Sequence, residues 1–371
     1  MIKEIAPIEA WFRMRKIVAK EFCLVKPFEF AERERIIESI PKGHLLLKPV
    51  VAGICGSEML YYRGEKEKEK LEKRLPMCLL HEGVAKIVDA GEGAKLKTGT
   101  YVVVNPMIPC KKCFACRNLG ENFCQDSKYM AATADGLART LFVYPEERVI
   151  PVPSGIELEF AALAEPLSIA LNAFEVSDAK KDDRVAIIGD GAIGYLVALI
   201  VSHVGGVPKE NLYFVGVIDE KLVLAEDFAT IINSAKEEEQ MRGLTGKIDV
   251  AFEAAGGRAH RITIAEAIDL LRLGGRCVLL GISRGEVPVD VTKVVNKGLT
   301  FRGSVRSGIE HYVKALEMLK NREFKERVGR IVSQKSFTIE TAEDLDEAFR
   351  YADTEEGESK TKPGRTLVYF P

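Results

Sequence analysis

Val185-Ala186-Ile187-Ile188-Gly189-Asp190-Gly191-Ala192-Ile193-Gly194 is the stretch on which the fold turns. Its first four residues are apolar and mostly β-branched, as in a fully buried strand, and the apolar run from 192 to 204 reads as a helix. The three glycines between them have separate physical jobs. Gly189 permits a tight turn, Gly191 lets a pyrophosphate approach the backbone, and Gly194 lets the helix pack on the strand. The start of that helix offers unpaired N–H groups and the positive end of its dipole to phosphate. A glycine-rich turn alone would also explain the spacing, so its surroundings decide.

Working outward, residues 212–217, 248–253, 276–281 and 299–303 read as strands, with helices over 259–272 and 309–320. Strands alternating with helices at this spacing predict a doubly wound parallel sheet, a Rossmann dinucleotide-binding domain. Upstream, 44–51, 84–89 and 100–104 read as short strands, with a turn at Gly91 to Gly93, so a β-rich domain precedes it. The tail after Val328 returns to short elements and ends in a strand at 366–370. The reading is therefore α/β, with a β-rich domain over 1–170, the Rossmann domain over 171–308, and a return to the first domain over 309–371. Gly189, Gly191, Ile193, Gly194, Gly281 and Ser304 form the expected cofactor-binding set. The second strand is read as ending near Gly216, where an NAD site usually carries Asp or Glu for the ribose 2′-hydroxyl. Glycine there leaves room for a 2′-phosphate and Lys221 lies in reach, so NADP(H) is favoured over NAD(H). Aspartate at 216 would then shift preference towards NAD(H), and a longer strand would make Asp219 the ribose ligand.

Composition excludes several classes. The 53 basic and 55 acidic residues leave a formal charge of −2, which gives no reason to expect a nucleic-acid or membrane partner. No run approaches the roughly 18 apolar residues of a membrane span, and the first 16 residues lack the pattern of a secretory signal, so a cytoplasmic location is expected. Abundant Lys, Arg and Glu with sparse Asn and Gln lean towards a thermophile. The run Gly64-Glu65-Lys66-Glu67-Lys68-Glu69-Lys70 reads as a solvated face.

Four of the eight cysteines, Cys110, Cys113, Cys116 and Cys124, fall in one loop of a lobe spanning about 105–126. Short spacings let one loop wrap a tetrahedral ion, so a structural zinc is preferred over a redox dithiol, disulfides or an iron–sulfur cluster. A second set is dispersed: Cys55 in Gly53-Ile-Cys-Gly-Ser57, His81-Glu82-Gly83, and Glu165 in Ala164-Glu-Pro-Leu. One thiolate, one imidazole and one or two carboxylates suit a zinc site with an open position. On spacing alone, each is as well read as a core residue.

The order Gly-Ile-Cys-Gly-Ser, His-Glu-Gly, four cysteines, Glu-Pro-Leu-Ser and Gly-Asp-Gly-Ala-Ile-Gly resembles the zinc-containing medium-chain dehydrogenases along nearly the whole chain. That resemblance implies a GroES-like catalytic domain split around the Rossmann domain. It implies two zinc ions per chain and a homodimer or homotetramer. It makes Cys55, His81, Glu82 and Glu165 the catalytic-zinc positions, leaving open whether each glutamate binds directly or through water. It makes Ser57 the hydroxyl that relays the substrate proton, and the cysteine loop the structural-zinc lobe. Tyr61-Tyr-Arg-Gly64, Leu75-Pro-Met77 and Phe252-Glu-Ala-Ala-Gly-Gly-Arg258 look like the ribulose-5-phosphate reductase (ribitol-5-phosphate dehydrogenase) branch. So does Lys297-Gly-Leu-Thr300 running into Gly303-Ser-Val-Arg-Ser-Gly308. That branch implies NADPH, and Arg63 and Arg306, beside these motifs, become candidates for clamping a substrate phosphate. The expected reaction is reversible hydride transfer between NADP(H) and a secondary alcohol or ketone of a polyol or sugar, a pentitol or pentulose 5-phosphate among them. Rival readings are a general polyol, glucose or alcohol dehydrogenase using NAD(H), a zinc-free quinone or enone reductase, and a non-catalytic NADP-binding protein.

Overall fold

The computed structural model describes residues 16–257, 259–282, 285–354 and 364–371. Residues 1–15, read above for a leader, and Arg258 lie outside the described residues. Val185–Ile188 is the central strand of a six-stranded sheet, and its residues are almost fully buried. Burial on both faces is why the run shows no polar alternation. The order is Thr230–Asn233, Leu212–Gly216, Val185–Ile188, Ile248–Glu253, Leu271–Leu279 and Thr300–Gly303, every neighbouring pair parallel. The order reverses beside Val185–Ile188, where an open α/β sheet forms its ligand crevice. The fingerprint helix, Ala192–His203, starts at this point.

Two regions carry strands that the sequence pattern does not announce. Thr230–Asn233 is a four-residue edge strand, half-exposed at its start, too short for its periodicity to register. Near the N-terminus, Ile17–Lys26 pairs antiparallel with Glu29–Ile37, whose Glu and Arg side chains hide the alternation. The short strand Met77–Cys78 completes that three-stranded sheet.

A seven-stranded sheet runs Val149–Pro151, Tyr101–Val104, Glu82–Ala90, His44–Gly53, Arg365–Tyr369 and Val332–Thr338, with Phe142–Pro145 also pairing to His44–Gly53. Two C-terminal strands thus lie beside one of the first. The helix Ala164–Ser177 packs on both Ala192–His203 and Glu82–Ala90. Val51, Val84 and Val103 therefore share one apolar cluster with Leu167, Leu196, Ile187 and Phe214. Each such buried side chain contributes about 1.5–3 kcal/mol, so the seam is held by apolar burial. The charged run at 64–70 leads into the helix Lys68–Arg74, which buries no residue and is a solvated face. No helix among the described residues is long and apolar enough to cross a membrane.

Candidate active site and metal centres

Cys55 caps the helix Gly56–Tyr62, which follows the strand His44–Gly53. Opposite lies the start of Glu82–Ala90, with Gly53 and Glu82 in direct register. A Cβ on Gly53 would sit 3.2 Å from Glu82 Oε2, so the glycine makes room for that carboxylate. Just before it, Leu80 holds φ at 71°, a left-handed conformation uncommon for a branched residue. Its carbonyl accepts from Leu137 N–H at 2.7 Å, which helps to hold it there. The result is that Cys55, His81 and Glu82 place one ligand atom each within 4.8 Å of one another.

Glu165, in the first turn of Ala164–Ser177, is buried nearby and accepts from Tyr129 Oη at 3.1 Å. The Tyr129 ring lies 5.8 Å from the His81 ring. Glu58, directly after Ser57 and not among the expected site residues, uses both oxygens. One accepts from Cys55 N–H at 3.0 Å and the other lies 2.6 Å from His81 Nδ1. Arg365, from the C-terminal strand, brings Nε to 3.0 Å from Glu82 Oε2. Ser57 is exposed, and its hydroxyl lies 3.4 Å from Cys55 Sγ.

The electrostatics ask for a cation. Burial pushes the Cys55 thiol up, with the Glu82 charge adding to it. Burial also pushes Glu165 up to about 7, opposed by His81 and reinforced by Glu82. On His81 burial acts downward, but Glu58 and Cys55 outweigh it and hold the imidazole well above its ordinary value. Both Glu82 oxygens are buried without an aligned hydrogen bond. One thiol, one imidazole and crowded carboxylates form a donor set that zinc satisfies. The imidazole is already oriented through its other nitrogen, as ligating histidines usually are.

In the lobe, Cys110, Cys113, Cys116 and Cys124 also bring their sulfurs within 4.8 Å of one another. Backbone N–H groups point at three of them: Cys113 N at 3.3 Å from Cys110 Sγ, Cys110 N at 3.2 Å from Cys124 Sγ, and Cys116 N at 3.5 Å from Cys113 Sγ. Such donors stabilise thiolate, and backbone bonds from Cys116 and Gln125 lower the Cys113 thiol to about 6. Four sulfurs wrapped by one loop fit a closed zinc site.

In the crevice, Gly189 has φ of 125°, and a Cβ on Gly194 would lie 1.9 Å from the Gly189 carbonyl oxygen. A Cβ on Gly191 would meet open space, the cradle a pyrophosphate needs. Ile193 is partly buried against the main core. Gly281 and Ser304 have structural duties: a Cβ on Gly281 would lie 2.4 Å from Glu253 Oε2, and Ser304 Oγ accepts from Asn172 at 3.0 Å.

The second strand does end at Gly216. The space beside it is not empty, however. Asp190, inside the fingerprint, accepts from Val217 and Ile218 N–H at 2.8 and 2.9 Å, and a Cβ on Gly216 would lie 2.5 Å from Asp190 Cβ. Aspartate at 216 would therefore displace Asp190 rather than simply add an acceptor. The signal was available, because the acid stands between the first two glycines. Lys221 is buried, with its pKa lowered by burial and partly restored by Asp190. Asp219 bonds to Asn233 and Lys236, on the neighbouring strand and the turn after it.

The two arginines read as phosphate clamps part company. Arg63 pairs with Asp353. Arg306, at φ of 50°, reaches the lobe, where Nη1 donates to the Cys124 and Asn122 carbonyls at 3.1 and 3.3 Å. Its guanidinium carbon lies 5.8 Å from the Tyr129 ring centre, against the group that holds Glu165.

Two family descriptions match: "Alcohol dehydrogenase GroES-like domain" over residues 41–154 and "Zinc-binding dehydrogenase" over 192–321. The chain is 29% identical over 358 residues to ribulose-5-phosphate reductase 1 of Staphylococcus aureus, covering 95% of this chain and 99% of that one. The chain belongs to the zinc-type medium-chain dehydrogenases. It is also 28% identical over 284 residues to L-idonate 5-dehydrogenase of Vitis vinifera, covering 73% and 75%. Among solved structures, that of S. aureus TarJ with NADPH superposes with a TM-score of 0.77 at 26% identity, covering 96% of this chain and all, 100%, of that one. As a member of this family, the chain is an NAD(P)-dependent oxidoreductase acting at CH–OH carbons of polyol- or sugar-like substrates.

Proposed function

We propose that this dehydrogenase interconverts the secondary alcohol and ketone of a pentitol or pentulose 5-phosphate, with NADP(H) as its preferred cofactor. Arg306 carries the reading. It stands beside Tyr129, whose hydroxyl bonds Glu165, and only its Nη1 makes hydrogen bonds among the described residues. The remaining guanidinium donors match a phosphate, whereas an uncharged polyol gives them nothing comparable. The similarity to ribulose-5-phosphate reductases over 95% of the chain supports the same substrate class.

Cys55 and His81, with Glu82 or Glu165, would hold a zinc ion, and Cys110, Cys113, Cys116 and Cys124 a second. The first supplies Lewis acidity to the substrate oxygen, while the nicotinamide supplies or accepts hydride. Glu58 fixes the imidazole, Tyr129 steadies the Glu165 carboxylate, and Ser57 hands the substrate proton towards solvent. Gly191 admits the pyrophosphate to the helix start.

One observation favours NAD(H) instead. The Asp190 carboxylate beside Gly216 is an acceptor for a ribose hydroxyl and repels a 2′-phosphate. Two backbone N–H groups already occupy it, and Lys221 adds the opposite charge, so we place NADP(H) first. The test is kcat/KM for ribulose and ribulose 5-phosphate with each reduced cofactor. Arg306→Ala should raise KM for the phosphorylated ketone about tenfold and spare the unphosphorylated one. Equal turnover of the two ketones by the wild type would remove the phosphate site and leave a general polyol dehydrogenase.

A further inference from the structure

Away from the crevice, Cys23 and Cys78 face each other in direct register across Ile17–Lys26 and Met77–Cys78. Cys78 spends its backbone groups elsewhere: its N–H donates to Asp135 Oδ1 at 3.0 Å and its carbonyl accepts from Gly136 at 2.8 Å. The two cysteines are thus a non-hydrogen-bonded antiparallel pair, in which Cα atoms approach to about 4.5 Å and side chains lie closest. That separation falls within the range a disulfide spans. The sulfurs lie 3.1 Å apart, both buried.

Glu21 Oε lies close enough to make a three-ligand group with the two thiols. A metal ion is nevertheless the poorer occupant. Glu21 already faces Arg33 and Arg35, each at 2.5 Å, and Arg139 at 3.7 Å. Arg33 and Arg35 also pair with Asp135, at 2.7 and 2.8 Å, so three guanidinium groups already serve both carboxylates and leave Glu21 no charge to offer a further cation.

We propose that Cys23 and Cys78 are a site of covalent modification, closing to a cross-strand disulfide that ties the N-terminal hairpin to the strand leading to His81. The oxidant is a low-molecular-weight disulfide, RSSR. One cysteine loses its proton and its sulfur attacks RSSR, expelling RS⁻ and leaving a mixed disulfide. The second thiolate attacks the protein-side sulfur of that bond and expels the other RS⁻. Two protein S–H bonds and one RS–SR bond become one protein S–S bond and two RS–H bonds, with two electrons passing from the cysteines to RSSR. Because burial pushes the Cys78 thiol well up, exchange belongs to moments when the two-residue strand Met77–Cys78 is undocked.

The bridge closes a loop of 55 residues that contains Cys55 and ends three residues before His81. It should act chiefly by restricting the unfolded chain. The test incubates the full, metal-loaded protein with oxidised glutathione at a temperature a little below its Tm. It is then denatured in iodoacetamide, digested and analysed by mass spectrometry. Six of the eight cysteines should carry label, with the Cys23 and Cys78 peptides linked. The oxidised protein should melt roughly 5 °C above the phosphine-reduced protein, and Cys23→Ala should abolish the difference. Label on all eight cysteines, a bridge between another pair, or a shift that persists in Cys23→Ala would overturn the proposal.

Discussion

Glu58 shows how one side chain can serve two candidate zinc ligands. It caps Cys55 through one oxygen and orients His81 through the other, at 3.0 and 2.6 Å. Its position three residues after the cysteine is visible in the sequence, yet a glutamate at a helix start is ordinarily only a cap. What the chain alone could not show is that His81, 23 residues later, comes back to the same carboxylate. Replacing Glu58 with Ala leaves the buried imidazole without its acceptor. Metal affinity at this site should fall 10- to 100-fold, as competition against a chelator would measure, while nucleotide Kd stays as it was. Unchanged metal affinity would reduce Glu58 to a cap. Asp190 teaches the converse at the cofactor end. The glycine at 216 was legible as the end of a strand, but the side chain lying against it comes from a different turn. Pocket chemistry read from one strand's end misses what a neighbouring loop inserts.

Among the elements, those that carry strong periodicity were legible and those that lean on partners were not. Val185–Ile188 is buried on both faces and Ala192–His203 over most of its length, so their apolar pattern is loud. Glu29–Ile37 and Thr230–Asn233 take their conformation from a hydrogen-bonded neighbour, and their composition argues little. The segment before His81 belongs to the second kind. Leu79 and Leu80 are held by backbone bonds from Ala138 and Leu137, and the crossing works because residue 136 is glycine. A Cβ there would lie 2.2 Å from the Leu79 oxygen and 2.3 Å from that of Leu80. Gly136→Ala must therefore push the His81 segment aside, at a cost of about 2–3 kcal/mol in denaturant unfolding. It should also lower metal occupancy at the Cys55–His81–Glu82 group, even though residue 136 is no ligand. A variant with wild-type stability and metal content would mean that the two segments separate freely.

The whole molecule joins its parts in two ways. The first is the apolar seam through Ala164–Ser177, which carries Glu165 at one end and packs on the fingerprint helix. The second is polar: Arg306, from the segment after Thr300–Gly303, grips two lobe carbonyls, while Asn122 of the lobe donates back to the Val305 carbonyl at 3.3 Å. Consequently the two metal groups should differ in what their loss reaches. Elemental analysis of the wild type should give two zinc ions per chain. His81→Ala should give one, with turnover lost and nucleotide affinity retained, because the Gly189–Gly194 turn belongs to the other sheet. Cys113→Ala should also give one, but its consequence spreads. An unsupported lobe releases the carbonyls that fix Arg306, so Tm falls and KM for a phosphorylated substrate rises together. A lobe that served only its own stability would lower Tm and leave KM where it was. That single comparison separates a local clasp from a strut, and the direction of the Arg306 bonds argues for the strut.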